Sequence, residues 1–368
     1  MPTRKTEARW IESRERWQVN VTNNDGVRKT FACNTPGRKG KIECERKADK
    51  WLRERLADES SRAEVILDQW YSALQESTST SHCLQQRSYI NNYIKPVIGK
   101  KKIGSVSKRD LQDIINKAYK NRDLAEKTLK NLRSCIMAFM KYCRSIPCTT
   151  LFPEDLTIPH GARPSEKSIA TAEELKTLFT VDTANYKGKP IEDHFVYAFR
   201  LSASTGMRPG EIIGLQWTDI KDGKIILKRS INKYEEITHG KNDNARRTIV
   251  MSNIAKQAIE GQRNMLKRKG MISKYVFPDK DGDFIPQRNY LRAWRRYCKT
   301  NGINQKLTPY EMRHTFVSIM DEMPEGLKKK VIGHSQSMDT EGIYGHLKVG
   351  DLEKAAALVD AAFENILK

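Results

Sequence analysis

The chain has 368 residues, of which 38% are hydrophobic and 30% are charged, and its formal net charge is +21. This length predicts two or three domains, and no stretch approaches the ~20 consecutive apolar residues that a transmembrane helix needs. The first residues carry no apolar segment of the secretory type, so we expect a cytosolic protein without a membrane partner. A basic excess spread along the whole chain favours a polyanionic partner, and nucleic acid is the usual one.

Residues 1–60 predict a small N-terminal module. The stretch RWQVNVTNNDGVRKTFACNTPG predicts two strands around a turn, because Trp17, Val19 and Val21 alternate with polar residues ahead of Asn-Asp-Gly. The following ECERKADKWLRERLADE predicts one helix. The surface of this module is rich in Arg and Lys, which favours a DNA-contacting module over a hairpin without a function.

Residues 62–155 predict a helical domain. Apolar residues recur at three- and four-residue spacing in RAEVILDQWYSAL, HCLQQRSYINNYIKPVIG, SKRDLQDIINKAYKN and AEKTLKNLRSCIMAFMKYCRS. Ser107 is the expected N-cap of the third helix, with Asp110 completing a capping box. The proline-rich sequence that follows the domain predicts a linker over residues 156–168.

Residues 169–368 predict an α+β domain, so the expected fold is multidomain and mainly α, with small β-sheets. TAEELKTLFT predicts a helix capped by Thr171 or Ser168. HFVYAFRLSASTGMRPGEIIGLQWTDI predicts a buried helix, a turn and a second helix, and GKIILKRS and ARRTIVMS have strand character. The terminal DLEKAAALVDAAFENIL predicts a helix with one apolar face.

The seven cysteines are scattered and form no CxxC pair, which favours reduced structural thiols over a zinc site. The sequence also lacks a Walker loop, a dinucleotide fingerprint and an HExxH motif. We therefore expect no metal and no other cofactor.

A set of charged and phenolic residues lies at the predicted junctions: Arg208, Lys241, Arg313, His334 and Tyr344. These residue types suit attack on a phosphodiester without a metal. Two guanidinium groups can bind the non-bridging oxygens, a lysine can protonate the leaving oxygen, and a tyrosine can be the nucleophile. Each residue alone also has an ordinary structural interpretation, and Glu211 is close enough to Arg208 to be its salt-bridge partner.

Four motifs in a fixed order carry a family resemblance: TGMRPGEI (205–212), the GK of HGKNDNARRTI (239–249), the MRHTF of LTPYEMRHTF (307–316) and GHSQSMDTEGIYGHL (333–347). This series resembles that of the tyrosine recombinases, or phage-type integrases. The N-terminal module and the helical domain also fit integrases of Gram-positive phages and conjugative transposons. The resemblance implies a recombinase of the bacterial cytosol that cuts and rejoins DNA through a 3′-phosphotyrosine, without metal or ATP, to integrate or excise a mobile element.

The resemblance also implies a role for each matched residue. Arg208 and Arg313 would be the catalytic arginines, and Lys241 the general acid. His334 would be the histidine of the GH motif, and Tyr344 the nucleophile. Glu211 matches an acidic residue of the family that would support Arg208.

Tyr310 departs from the family pattern, because most members have a histidine at this position. A phenol, with an ordinary pKa of ~10, cannot act as a histidine base near pH 7. Tyr310 could still donate a hydrogen bond to the phosphate, and proton acceptance would then rest on His334, water or the phosphate. His314 directly follows Arg313 and is interpreted as structural.

The expected partners also follow from the resemblance. They are double-stranded DNA attachment sites, further copies of the chain in a homotetramer, a host DNA-bending factor and an excision protein. The apolar face of the terminal helix would dock on a neighbouring protomer, although packing on its own domain is the alternative. Two other functions stay open: a type IB topoisomerase, which uses a similar residue set, and a catalytically silent DNA-binding regulator of the same fold.

Overall fold

The computed structural model describes residues 6–22, 28–55, 59–164, 167–238, 246–333 and 348–368. The chain divides into two compact units, Met1–Ser165 and Glu166–Lys368. Within the described ranges, no helix has both the length and the apolar character needed to cross a membrane.

The N-terminal module is an antiparallel sheet with one helix packed on it. Its elements are β1 (Arg9–Ile11), β2 (Arg16–Thr22), β3 (Arg28–Cys33) and α1 (Gly37–Arg55), with β2 in the centre of the sheet. Val19 and Val21 face the helix in a small core, whereas Asn20 and Thr22 point the other way and are exposed. The two predicted strands and the helix are confirmed, and β1 is an additional strand.

The helical domain contains the four predicted helices, one of them interrupted. Its elements are α2 (Ala63–Ser77), α3 (Thr80–Tyr89), a π-helical turn (Ile90–Ile94), α4 (Lys95–Ile98), α5 (Lys108–Arg122) and α6 (Glu126–Ser145). The interruption precedes Pro96, which has no N–H to donate to the preceding turn. The predicted capping box of Ser107 and Asp110 opens α5.

The helical core extends beyond α6 into the proline-rich segment. Leu156 is buried in this core, and Ile158 and Ala162 pack against it. The first half of the predicted linker, residues 156–168, is therefore packed on the helical domain.

In its described residues, the second unit combines helices with three small antiparallel sheets. Its helices are α7 (Ala172–Thr180), α8 (Val196–Thr205), α9 (Pro209–Ile213), α10 (Asn253–Arg268), α11 (Gln287–Thr300), α12 (Pro309–Ile319), α13 (Glu325–Ile332) and α14 (Asp351–Leu367). Its strands are β4 (Thr183–Tyr186), β5 (Lys189–Glu192), β6 (Ile220–Lys221), β7 (Lys224–Leu227), β8 (Ser230–Ile231), β9 (Ile237–Thr238) and β10 (Arg247–Val250). They form the sheets β4-β5, β8-β9 and β10-β7-β6.

Helix α8 is the centre of this unit: nine of its ten residues are buried, and Tyr197 is partly buried. The ring of Phe199 on α8 packs against Trp294 and Tyr290 of α11 at centroid distances of 4.9 and 5.4 Å. Because other elements cover α8 on all sides, its sequence shows no polar face of the kind that a surface helix has. Thr171, and not Ser168, caps α7 through a capping box with Glu174.

The terminal helix α14 packs on its own unit. Phe363 is buried with its ring 5.0 Å from that of Phe179. The Asp360 carboxylate accepts hydrogen bonds from the backbone N–H groups of Asn253 and Ile254, at 2.9 and 3.2 Å, at the start of α10. In the single chain this apolar face packs on a hydrophobic cluster of its own unit, as the alternative predicts, and its docking on a neighbouring protomer stays a prediction.

Candidate active site

A left-handed glycine places Arg208 at the beginning of α9. Gly206 ends α8 with φ +63°, and a Cβ added there would lie 2.6 Å from the ring of Phe316. Only glycine fits both the backbone conformation and the close approach of that ring. Arg208 follows two residues later as the N-cap of α9, with Pro209 at the first helical position.

Arg313 lies on α12, facing the turn that contains Gly206. Thr308 and Glu311 form the capping box of this helix, and Pro309 occupies its first turn. Arg313 is 3% exposed, and its Nη1 donates a 2.9 Å hydrogen bond to the carbonyl of Gly206. Its Nη2 is buried and has no hydrogen-bond partner among the described residues. The side chain is therefore a buried cation whose Nη2 can still donate a hydrogen bond to a ligand.

The electrostatics of Arg313 favour binding of an anion. Burial lowers the pKa of Arg313 to about 10, the positive charges of Arg208 and Arg247 lower it in the same direction, and Glu211 opposes them. The guanidinium stays protonated at neutral pH. In this part of the described chain three guanidinium groups surround one carboxylate, and an anion that reached Arg313 would relieve their mutual repulsion.

Glu211 links the two sides of the site. Its Oε1 accepts hydrogen bonds from Arg208 Nη1 at 2.9 Å and from Arg247 Nη1 at 3.0 Å. Its Oε2 accepts from the backbone N–H of Arg208 at 2.8 Å and from Arg247 Nη2 at 3.0 Å. Glu211 therefore pairs with Arg208, and the same carboxylate also pairs with a second arginine, Arg247.

Arg247 is the residue that sequence reasoning missed. It lies at the start of β10, its side chain is 7% exposed, and its Nε donates a 2.7 Å hydrogen bond to the carbonyl of Val331. The sequence contained a signal, because Arg247 stands two residues before the apolar Ile249 and so shares its face of the strand. An arginine on an inward face is usually paired with an acidic group, so this position could have suggested a partner.

The end of α13 belongs to the same network. Gly333 ends α13 in the left-handed conformation with φ +66°. Its carbonyl accepts a 3.1 Å hydrogen bond from Nη2 of Arg208, whose side chain is 31% exposed. Arg208 therefore contacts the residue that directly precedes His334 in the sequence.

Tyr310 lies one turn before Arg313 on α12 and is 46% exposed. Its ring packs edge-on against His314, at a centroid distance of 5.3 Å. The two rings are neighbours because residues four apart share a helix face. Tyr310 is thus close to the buried arginines and is accessible from outside.

The structure brings together Arg208, Glu211, Arg313 and Tyr310 of the predicted site residues. Lys241, His334 and Tyr344 lie outside the described residues. Their roles remain predictions.

Replacing Glu211 with glutamine is expected to destabilise the second unit by about 3–5 kcal/mol, because it leaves Arg247 buried without its counter-charge. The control is Glu325→Gln, which removes an exposed (i,i+4) partner of Lys329 and should cost about 0.5 kcal/mol or less. Amide hydrogen exchange in α8 and β10 reports the free energy of opening for this unit alone. Equal effects of the two substitutions would show that the Glu211 network contributes no special stability.

The same network predicts how stability depends on pH. Burial raises the pKa of Glu211, but the charge and hydrogen bonds of Arg247 and those of Arg208 outweigh burial, so the pKa is lowered overall. A lowered pKa contributes stability that is present above the unfolded value of ~4.3 and lost as the pH falls through the folded value. The wild-type chain should lose this contribution in acid, and Glu211→Gln should lack it at every pH.

Two family models match the chain. "Phage integrase family" matches residues 169–350, and "Phage integrase, N-terminal SAM-like domain" matches residues 64–119. The XerC-like tyrosine recombinase of Caldanaerobacter subterraneus subsp. tengcongensis is 25% identical over 317 residues, which cover 77% of this chain and 78% of that protein.

Solved structures show the same fold. The integrase of transposon Tn1549, in complex with a circular intermediate DNA, matches with a TM-score of 0.64 at 18% identity, covering 79% of this chain and 98% of that one. A lambda integrase tetramer bound to a Holliday junction matches with a TM-score of 0.59 at 14% identity, covering 95% of this chain and 99% of that one.

Proposed function

Because this chain belongs to the phage integrase family of tyrosine recombinases, we propose that it is a site-specific DNA recombinase that integrates and excises a mobile element. It cuts and rejoins DNA through a covalent 3′-phosphotyrosine. The likeness to a transposon integrase supports the mobile element as its context.

The observation that carries this proposal is the burial of the Arg313 guanidinium together with its unpartnered Nη2 donor in the described structure. A buried guanidinium with a donor lacking a partner in the described structure, held among further positive charges, is arranged for an anion such as a phosphodiester. Arg208 is half-buried in the same network, so it can share the non-bridging oxygens with Arg313. Both arginines are held by hydrogen bonds to protein groups before DNA arrives, and they therefore need little reorganisation.

The proposed reaction is metal-independent and ATP-independent. Tyr344 attacks the scissile phosphate, and Lys241 protonates the leaving 5′ oxygen. The new phosphotyrosine ester conserves the energy of the broken bond, and the 5′-hydroxyl of a partner duplex reverses the step. Tyr310 donates a hydrogen bond towards the phosphate, while His334 or the phosphate itself accepts the proton of Tyr344.

The proposed partners are duplex attachment sites and further copies of the chain. The exposed face of the N-terminal sheet, with Asn20, Thr22 and Arg28, offers polar and basic groups for arm-type DNA sites. A lambda integrase tetramer on a Holliday junction supports a homotetramer as the working assembly. A host DNA-bending factor and an excision protein would complete the complex in the bacterial cytosol, and affinity for DNA should fall steeply with salt.

The test is a nicked suicide substrate that carries the attachment site of the element, incubated with the full chain in EDTA and without ATP. The proposal predicts a protein–DNA adduct that resists SDS. Tight binding without an adduct would favour the silent regulator. Relaxation of a supercoiled plasmid that lacks attachment sites, without any strand exchange between sites, would favour the type IB topoisomerase.

A further inference from the structure

Arg247 has no part in the reaction as proposed above, yet in the described structure its side chain makes three hydrogen bonds inside the site, against two for the side chain of Arg208 and one for that of Arg313. We propose that Arg247 is a positioning residue for DNA cleavage, which fixes Arg208 through Glu211 and fixes the last turn of α13 through Val331. This inference rests on the proposed function, since it concerns the same site.

The guanidinium of Arg247 is engaged with protein groups on three of its nitrogens. Nη1 and Nη2 form a bidentate pair with the two oxygens of Glu211, both at 3.0 Å, and Nε donates to Val331 at 2.7 Å. This planar fork holds the carboxylate in one orientation. Because its donors point into the protein and its side chain is 7% exposed, Arg247 is placed to orient its neighbours and not to bind the phosphate.

Glu211 transmits this orientation to Arg208. Oε1 is shared between Nη1 of Arg208 and Nη1 of Arg247, and Oε2 accepts the backbone N–H of Arg208. A rotation of the carboxylate would therefore move the side chain and the backbone of Arg208 together. Without Arg247, Glu211 would keep its contacts to Arg208 but would lose the pair that sets its angle.

The last turn of α13 is held by the same two arginines. Arg247 binds the carbonyl of Val331, and Arg208 binds the carbonyl of Gly333. His334 is the next residue in the sequence, so these two contacts fix the point from which the chain continues to His334 and Tyr344. Arg247 thus couples the geometry of Arg208 to the origin of the segment that carries two predicted catalytic residues.

The experiment compares Arg247→Met, Arg247→Lys and the control Arg246→Met, which removes the same charge from the exposed neighbouring side chain. Two quantities are measured for each full-length protein: the affinity for attachment-site DNA, and the single-turnover rate of adduct formation at saturating DNA. Only variants whose circular dichroism spectrum matches that of the wild type are compared.

The proposal predicts that Arg247→Met slows adduct formation by about 100-fold, as expected for misplaced catalytic groups, with the Kd for DNA within about threefold of wild type. Arg247→Lys should recover part of the rate, because a lysine restores the charge but not the bidentate fork. Arg246→Met should match the wild-type rate.

A folded Arg247→Met protein that forms the adduct at the wild-type rate would overturn the inference. If Arg247→Met does not fold, the rate of Arg247→Lys becomes the test of the positioning role. A slower rate at unchanged affinity then supports positioning, and a wild-type rate overturns it. An absence of adduct in the wild-type protein would contradict the proposed function itself, which distinguishes the two failures.

Discussion

Replacing Tyr344 with phenylalanine is expected to abolish the covalent adduct with a suicide substrate, because phenylalanine has no oxygen to attack the phosphate. Replacing Tyr310 with phenylalanine should leave the adduct in place. SDS gel electrophoresis of the two variants beside the wild type measures the difference. Both substitutions remove one hydroxyl group and no charge, so each is the matched control of the other.

The expected contrast follows from the location of Tyr310. It lies on the same helix as Arg313, one turn earlier, and its ring contacts His314. We expect a residue so placed to flank the phosphate, and loss of a single hydrogen bond to a charged group should then slow the reaction by roughly tenfold to a hundredfold. An adduct that persists in Tyr344→Phe and disappears in Tyr310→Phe would exchange the roles of the two residues.

Replacing Arg313 with glutamine is expected to slow adduct formation by about a thousandfold or more. Removal of one preorganised donor for transition-state charge costs about 10²–10³ in rate, and removal of a charged arginine donor costs about 10³–10⁵. The measurement is the single-turnover rate at saturating DNA. The control is Arg292→Gln on α11, which removes the same charge from an exposed position.

The same substitution should leave stability unchanged or raise it. Arg313 is buried beside Arg208 and Arg247, and its Nη2 lacks a partner in the described part of the chain, so the folded protein maintains an unfavourable charge there. A large loss of stability in Arg313→Gln, with cleavage slowed only in proportion to unfolding, would mean that this arginine serves the fold. Sites prepared for a ligand in this way commonly trade stability for function.

Local patterns predicted much of the fold. Apolar spacing identified the helices of the helical domain, and capping residues located the starts of α5 and α7. The β4–β5 hairpin was missed because its sequence has little apolar alternation. Its stability comes instead from contacts with the end of α11, such as the hydrogen bond from the backbone N–H of Asn185 to Thr300, at 2.9 Å.

Non-local partners limited the prediction of the site. The spacing of Arg208 and Glu211 on one helix start was sufficient to predict their pairing, which spans three residues. The partner of Glu211 on the other side, Arg247, is 36 residues away in the sequence and meets it only through the packing of β10 near α9. The packing of α14 on its own unit could not be predicted for the same reason, because an apolar helix face does not specify which surface covers it.

The most direct test of the central claim is to identify the residue that carries the DNA. The suicide-substrate adduct is digested with nuclease and trypsin, and the peptide that retains nucleotides is sequenced by mass spectrometry. Tyr344 lies in the tryptic peptide VIGHSQSMDTEGIYGHLK, and Tyr310 lies in LTPYEMR. We expect nucleotides on the first peptide, at Tyr344. Nucleotides on the second peptide, or on neither, would contradict this expectation.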